Sequence, residues 1–170
     1  MTGSRLILGI DPGSRVTGYG LIAADGGRLS FLDCGVIQTG GGPFPERLWA
    51  IFEGISRVIA EAAPNEAAVE QVFVSRNAES ALKLGQARGA AICAVVQANL
   101  PVSEYAARRV KQAVVGRGGA DKRQVRHMVC AMLGLKEAPS EDAGDALAVA
   151  VCHAHESETR ARMRAMGVEP

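Results

Sequence analysis

Four carboxylates in this chain could form one cation-binding cluster: Asp11, Glu70, Asp142 and Asp145. Mg²⁺ prefers oxygen ligands and keeps several of its waters, so grouped carboxylates without a nearby Cys or His pair suit it better than Zn²⁺. Without a cation, four acids brought together would repel one another and some would have raised pKa values. We therefore predict a magnesium cage, provided that the fold brings these acids together.

A pair of cations in such a cage would indicate phosphodiester hydrolysis. In two-metal sites the ions lie about 3.5 to 4 Å apart and one carboxylate bridges them. One ion activates the attacking water, and the other stabilises the leaving oxygen. The acids thus favour a nuclease.

Asp11 ends an apolar run from Leu6 to Ile10 and is followed at once by Pro12 and Gly13. This pattern predicts a buried strand that ends at the aspartate. Ligand sites of α/β sheets lie at the carboxyl ends of strands, where a carboxylate faces whatever binds. A turn cap on the Pro12-Gly13 step is an equally good explanation from the residues alone.

Glu70 lies near the end of a second predicted strand, which follows a helix that ends at Pro64. A carboxylate in this apolar setting is costly unless it is paired or bound to metal, because it loses hydration. The alternative is a surface-facing position on an edge strand.

Asp142 and Asp145 are three residues apart after Pro139, so a helix puts both on one face. Ser140 is a candidate N-cap, and the helix dipole favours acids in the first turn. That explanation is weaker for Asp145, which lies further in among alanines and a glycine. Such small neighbours let a helix approach a sheet closely.

The pattern of elements predicts a mixed five-stranded sheet flanked by helices in a single α/β domain. Asp25, Gly26 and Gly27 predict a hairpin turn, and Gly18 and Gly20 inside a strand indicate close backbone approach. The predicted strands are 6–11, 16–24, 28–39, 66–72 and 102–106, the predicted helices are 46–63 and 77–99, and further helices follow.

The composition fits one globular domain, with 170 residues, 48% hydrophobic content and a net charge of +1. We expect the nuclease domain to span 1–156 and residues 157–170 to form a frayed tail. No signal-peptide pattern and no bilayer-length apolar run is present, so we expect a cytoplasmic protein.

The cysteines and histidines do not indicate a metal site. The cysteines lie far apart in apolar stretches, so we interpret them as reduced core residues. His153 and His155 are two apart on a predicted helix and point in different directions, and His127 is expected at the surface or facing phosphate. The cysteines are Cys34, Cys93, Cys130 and Cys152.

A basic segment between residues 108 and 126 contains only one acid, Asp121. A solvated helix face is the usual explanation of such a charge run. Here Gly116, Gly118 and Gly119 expose backbone N–H groups, which favours phosphate contact. The basic residues are Arg108, Arg109, Lys111, Arg117, Lys122, Arg123 and Arg126.

Phe73 follows Glu70 on a predicted loop and has two explanations from its residue type and position. It could stack on or wedge between bases. A buried core position is the default for phenylalanine and is favoured when the residue is considered by itself.

Taken together, four segments resemble the RuvC family of Holliday junction resolvases, which belongs to the RNase H-like nuclease superfamily. The segment at 9–20 would be weak by itself, because other RNase H-like and actin-like proteins share its strand-end aspartate. In this order and spacing the four segments are highly specific. They are GIDPGSRVTGYG (9–20), VEQVFVSRNAESALKLGQARGAA (69–91), AARRVKQAVVGRGGADKRQVRHMV (106–129) and DAGDALAVAVCH (142–153).

The resemblance implies a role for each candidate residue. The four acids match the family's catalytic metal ligands, and some members have histidine where this chain has Asp142. Phe73 matches the loop aromatic that inserts at the junction's centre, and Arg76 lies where the family approaches DNA. Lys111 and Lys122 match basic residues implicated in DNA contact and, for Lys122, in catalysis.

The resemblance also implies an RNase H-like fold and Mg²⁺-dependent paired nicks, with two ions per site and Mn²⁺ as a substitute. Paired cuts in a two-fold symmetric junction call for a homodimer. Gly85 and Gly89 on the predicted helix 77–99 suit either that interface or packing within one subunit, and the resemblance favours the interface. RuvA and RuvB, a branch-migration complex, are the implied partners.

Three other functions compete with junction cleavage. An actin-like kinase or ATPase would need a second domain and a second glycine-rich phosphate motif, for which this chain has neither room nor residues. A non-cleaving junction-binding protein is disfavoured because all four acids are present. A related RNase H-like nuclease acting on RNA is the main alternative.

Overall fold

Five strands form one mixed sheet in the computed structural model, which describes residues 4–71 and 77–168. They lie in the order β3-β2-β1-β4-β5. The β1–β2 and β2–β3 pairs are antiparallel, and the β1–β4 and β4–β5 pairs are parallel. The predicted sheet is therefore confirmed. The strands are β1 (Arg5–Asp11), β2 (Val16–Asp25), β3 (Arg28–Gln38), β4 (Glu66–Gln71) and β5 (Val102–Ala106).

Helices cover both faces of the sheet, as predicted, and each face has its own apolar core. Successive residues of a strand point to opposite faces, so Ile7 joins one core and Leu8 the other. Helices α1 and α2 cover the Leu8 face, and α3, α4 and α5 cover the Ile7 face. The helices are α1 (Phe44–Ala62), α2 (Ala78–Gln97), α3 (Ala107–Val115), α4 (Lys122–Leu133) and α5 (Glu141–Ala165).

The turn between β2 and β3 has the two-residue form that its glycines predict. Asp25 pairs with Arg28, and Gly26 and Gly27 between them have φ of 53° and 88°. Positive φ at both central residues matches the right-handed twist of a hairpin, and glycine adopts it without steric cost. The predicted hairpin is confirmed.

Glycines allow α5 to lie directly on the backbone of β1 and β2. A Cβ built on Gly9 would be 2.1 Å from the Ala146 carbonyl oxygen. One built on Gly18 would be 2.0 Å from the Asp142 carbonyl oxygen, and Gly20 leaves similar room for Leu147. The predicted close approach is confirmed, and it determines how near the start of α5 comes to the end of β1.

Polar contacts of His153 connect the middle of α5 to β4 and β5. Nδ1 of the buried His153 lies 2.8 Å from the Tyr105 hydroxyl. Nε2 of His153 lies 3.0 Å from Glu66 Oε2, but the geometry is not that of a hydrogen bond. Glu66 also forms an ion pair with Arg5. Burial lowers the pKa of His153 because it disfavours the imidazolium. A neutral histidine thus joins β4, β5 and α5.

The C-terminal part of α5 extends beyond the predicted domain boundary. Residues 157–165 are helical, whereas the sequence suggests a frayed tail from 157 onward. Arg162 pairs with Glu158 one turn earlier, and Arg162 and Arg164 lie in the last turn, where cations interact favourably with the helix dipole. Fraying of this end stays a prediction. No helix in the described ranges is long and apolar enough to cross a membrane.

We expect Gly9→Ala to destabilise the protein by about 1 to 3 kcal/mol, because the added methyl group forces α5 away from β1. Urea unfolding of the variant and of wild type measures the difference. Gly119→Ala is the matched control, since nothing lies within 4 Å of a Cβ built there. Equal losses in both variants would contradict the close packing of α5.

Candidate active site

Asp11 and Glu70 are neighbours at the carboxyl ends of two parallel strands. The register pairs Ile10 of β1 with Val69 of β4, so the next residue on each strand is one of the two acids. Their side chains hydrogen-bond to each other, with a protonated Asp11 donating to the Glu70 carboxylate. Because β4 lies between β1 and β5, the alternative of an edge strand for Glu70 is wrong.

Helix α5 brings the other two acids to the same end of the sheet. Asp145 lines a cavity of about 280 Å³ together with Asp11 and Glu70. Asp142 lies one turn earlier, above Gly18, which is the partner of Asp11 in the β1–β2 register. Asp142 does not line the cavity, but its charge raises the pKa of both Asp11 and Asp145. Three of the four acids thus line one cavity and the fourth lies beside it.

The carboxylates of this cavity hold their protons unusually strongly. Burial, followed by the charges of Glu70 and Asp145, raises the pKa of Asp11 to about 8. Burial is also the largest cause that raises the pKa of Glu70 and of Asp145. Such shifts arise where like charges share a poorly solvated site, and they are typical of functional sites.

Two lysines line the same cavity and supply positive charge. Lys122 Nζ lies 2.6 Å from Glu141 Oε1 and 3.3 Å from Asp145 Oδ2. The hydrogen bond to Glu141 is the largest cause that raises the pKa of Lys122. Lys111 lowers the pKa of Glu70 by its charge. Both lysines are therefore next to the acids, as the resemblance implies.

Sequence analysis did not identify Glu141, whose carboxylate pairs with Lys122 beside the cavity. It occupies the first turn of α5, where an acid has a sufficient explanation in the helix dipole. Lys122 begins α4 directly after Asp121, whose side chain accepts from the Gln124 backbone N–H in a capping box. Two helix starts that face each other therefore create the Lys122–Glu141 pair, and no local sequence pattern encodes that pairing.

The donor set fits hard divalent cations. Across residues 4–71 and 77–168, no group of three or more His, Cys, Asp or Glu side chains is arranged to hold one ion. Mg²⁺ needs only one or two protein carboxylates beside its waters and the substrate phosphate, so this finding does not exclude it. All the acids of the cavity are oxygen donors, and burial, with the charges of neighbouring acids, raises the pKa of Asp11, Glu70 and Asp145.

The remaining candidate residues have varied environments. Arg109 pairs with Glu156 on α5, so it is not part of a free basic face. His153 is buried, and Nδ1 of His155 lies 3.2 Å from the Ala113 carbonyl, so the two histidines have separate contacts as predicted. His127 is exposed. Phe73 and Arg76 lie outside the described residues.

The cysteine prediction is only partly correct. Cys152 is buried and Cys34 and Cys130 are half-buried, but Cys93 is exposed. The buried side of α2 consists of Ala87, Ala91, Ala94 and Val95, and Cys93 is on the opposite side. Apolar neighbours in the sequence do not reveal which side of a helix is covered. All four cysteines are free thiols.

Comparison with known proteins identifies close relatives over most of the chain. The family model of crossover junction endodeoxyribonuclease RuvC matches residues 7–153. A crossover junction endodeoxyribonuclease RuvC from Marinobacter nauticus is 57% identical over 95% of this chain and 93% of its own length. One from Photobacterium profundum is 59% identical over 91% of this chain and 89% of its own length.

A solved structure shows the same similarity. Thermus thermophilus RuvC in complex with a Holliday junction substrate superposes with a TM-score of 0.86 at 38% identity. The match covers 91% of this chain and 96% of that chain. Fold and sequence therefore indicate one family.

We expect Asp11 to make the metal-free protein less stable as the pH rises from about 4 to about 8. Its folded pKa is raised from 3.8 to about 8, so the folded protein keeps a proton that the unfolded chain has released. Removing that proton leaves a poorly solvated charge. At pH 8 in EDTA, Asp11→Asn should therefore have a higher Tm than wild type. The difference should be about 2 to 4 °C for each kcal/mol by which the free energy of unfolding differs. Near pH 4 the two proteins should have similar Tm values.

Thermal unfolding of both proteins across this pH range measures the effect. Added Mg²⁺ at pH 8 should raise the Tm of wild type more than that of the variant, because bound cations neutralise the carboxylate. Parallel pH profiles for the two proteins would show that Asp11 does not carry the shifted proton.

Proposed function

The chain belongs to the RuvC family of crossover junction endodeoxyribonucleases, and from this membership we propose how its acidic cavity cuts DNA. The protein is an endonuclease that resolves Holliday junctions, and it acts on DNA, not on RNA. The observation that carries the proposed mechanism is the meeting of Asp11, Glu70 and Asp145 in one cavity with Lys111 and Lys122.

We infer that the four acids hold two Mg²⁺ ions, for which Mn²⁺ can substitute. When bound, the ions supply a water of lowered pKa and neutralise charge on the leaving 3′ oxygen. Asp11 would be one of the residues that hold the ions, because it lies beside Glu70 and the charges of Asp142 and Asp145 both raise its pKa. Glu70 and Asp145, which line the same cavity, and Asp142, in the first turn of α5, would be the other three.

Lys122 and Lys111 act on the phosphate in this proposal. Lys122 now neutralises Asp145 and Glu141, so its ammonium already lies at the rim of the cavity. With cations bound to the acids, the Lys122 ammonium would be free to contact a non-bridging phosphate oxygen. There it would offset the negative charge that develops during cleavage. Lys111 would do the same from the Glu70 side. Phe73 and Arg76 stay proposed DNA contacts by family resemblance.

A homodimer is the proposed assembly, because paired cuts in a two-fold symmetric junction need two sites related by a two-fold axis. Among the described residues, a Cβ built on Gly85 or Gly89 would have nothing within 4 Å beyond its chain neighbours and the nearby backbone of its own helix. Leu82 and Val96 on the same helix are 70% and 57% exposed. This uncovered small and apolar side of α2 supports an interface and disfavours packing within the subunit.

Other partners and the location follow from the same resemblance. RuvA and RuvB are the proposed branch-migration partners. A junction substrate supports the cytoplasmic location that the sequence predicts.

We expect Asp11→Asn to reduce junction cleavage by about 100-fold or more while junction binding persists, because one electrostatic contributor of this kind is worth about 10²- to 10³-fold. Cleavage of a synthetic four-way junction in Mg²⁺ and binding in EDTA provide the two measurements. Glu70→Gln should behave alike, and Asp33→Asn, in β3 and outside the cavity, is the matched control. Nicking by Asp11→Asn at the wild-type rate would contradict the ligand assignment.

We expect Gly89→Gln to weaken the dimer by about tenfold or more, since inserted bulk in a packed contact costs about 1 to 3 kcal/mol and 1.4 kcal/mol is tenfold. The monomer should remain folded, because glutamine is the better helix former. Sedimentation equilibrium measures the dimer, and paired nicks should become single. Gly41→Gln, at another open glycine, is the control. An unchanged dimer would exclude this side of α2 as the interface.

A further inference from the structure

Three cavities that share lining residues follow one another from the acidic cavity along α4. The acidic cavity shares Lys122 and Asp145 with a second cavity of about 200 Å³ between the starts of α4 and α5. That cavity shares Arg123 and Arg126 with a third of about 470 Å³, which reaches Lys136 in the segment after α4. We call the second and third cavities together the outer groove.

Basic side chains line the outer groove, and most of them lack acidic partners. In the part of the chain that the structure describes, no ion pair or hydrogen bond engages the side chains of Arg123, His127 or Lys136. Arg126 Nη2 donates to the Pro139 carbonyl, and its Nε is buried without a partner. The outer groove therefore carries positive charge that ion pairs do not neutralise.

The acids of the outer groove are concentrated at its inner end. Glu141 and Asp145 are the acids among the residues that line these two cavities, and both contact Lys122. Outside the groove, Arg88 and Arg109 each pair with a glutamate. The small net charge of +1 hides this separation of positive from negative charge.

The groove has the length of a short stretch of nucleic-acid backbone. Lys122 and Cys130 lie eight residues apart on α4, a rise of about 12 Å. DNA carries one phosphate per strand for about each 3.4 Å of helix axis, so this length matches three to four nucleotide steps. The spacing suits phosphates in succession better than one isolated anion.

We propose that the outer groove binds consecutive backbone phosphates of the junction strand on one side of the cut, through Arg123, Arg126, His127 and Lys136. Its position next to the acidic cavity, with which it shares Lys122 and Asp145, favours DNA over an acidic protein, because a strand that enters the cavity to be cut must also leave it. The proposal rests on the proposed function, and it adds a path for the strand beyond the scissile phosphate.

The first test measures the salt dependence of junction binding in EDTA. Arg123→Ala/Lys136→Ala removes two exposed charges without touching Lys122 or the acids. The slope of log K against log salt should become shallower by about 1.8, because each phosphate contact contributes about 0.9. The matched control is Arg28→Ala/Arg164→Ala, which removes two exposed charges at the other end of the domain and should keep the wild-type slope.

A second test locates the phosphates. Junctions with single methylphosphonates within four nucleotides of the cut, on either side, remove one charge at a time. Wild type should lose affinity for substitutions on one side only, and Arg123→Ala should lose less at those positions. Equal losses in wild type and Arg123→Ala at every position would overturn the assignment of this path.

The outcomes distinguish failure of the outer-groove proposal from failure of the proposed function. Junction binding by wild type, with the same slope in the Arg123/Lys136 variant, would overturn the outer groove and leave the proposed function standing. Failure of wild type to bind a junction at all would overturn both. Thermal unfolding of each variant establishes that it is folded.

Discussion

The site depends on the contact between α5 and the backbones of β1 and β2. Gly9, Gly18 and Gly20 remove the side chains that would otherwise separate helix from sheet, and the Asp142 carbonyl lies directly over Gly18. Because Gly18 is paired with Asp11, this contact determines how near the helix acids come to the strand acids. His153, further along the same helix, contacts Tyr105 and Glu66, so α5 is held against the sheet both near its start and near its middle.

This closeness has an electrostatic cost that cation binding can relieve. Burial and mutual repulsion raise the pKa of Asp11, Glu70 and Asp145. The chain reduces the cost by sharing a proton between Asp11 and Glu70 and by pairing Lys122 with Asp145. Both the Asp11–Glu70 hydrogen bond and the Lys122–Asp145 ion pair are reversible, and divalent cations would replace them with stronger interactions. The same environment that disfavours charged carboxylates in the free protein therefore favours metal in the bound one.

The sequence predicts the elements and the acids well because local patterns encode both. An apolar run followed by Pro12 and Gly13 locates the end of β1, Pro64 precedes β4, and glycines inside β2 indicate the close helix. Pairing between distant elements is harder to predict. The Lys122–Glu141 contact depends on how the starts of α4 and α5 meet, and the exposure of Cys93 depends on which side of α2 the sheet covers. The Gly85 and Gly89 alternatives likewise required knowledge of α2's neighbours.

A cluster of carboxylates by itself repels phosphate, so cleavage at the proposed site needs positive charge nearby. Lys111 and Lys122 offset this repulsion at the cavity, but Lys122 is already engaged by Glu141 and Asp145. Positive charge without acidic partners lies further along α4, where it can attract a strand without neutralising the acids that are proposed to hold the metal. Separation of the two signs thus lets one domain hold cations and polyanionic DNA together. Metal binding and DNA binding should each lower the cost of the other, because each neutralises charge that the other must approach.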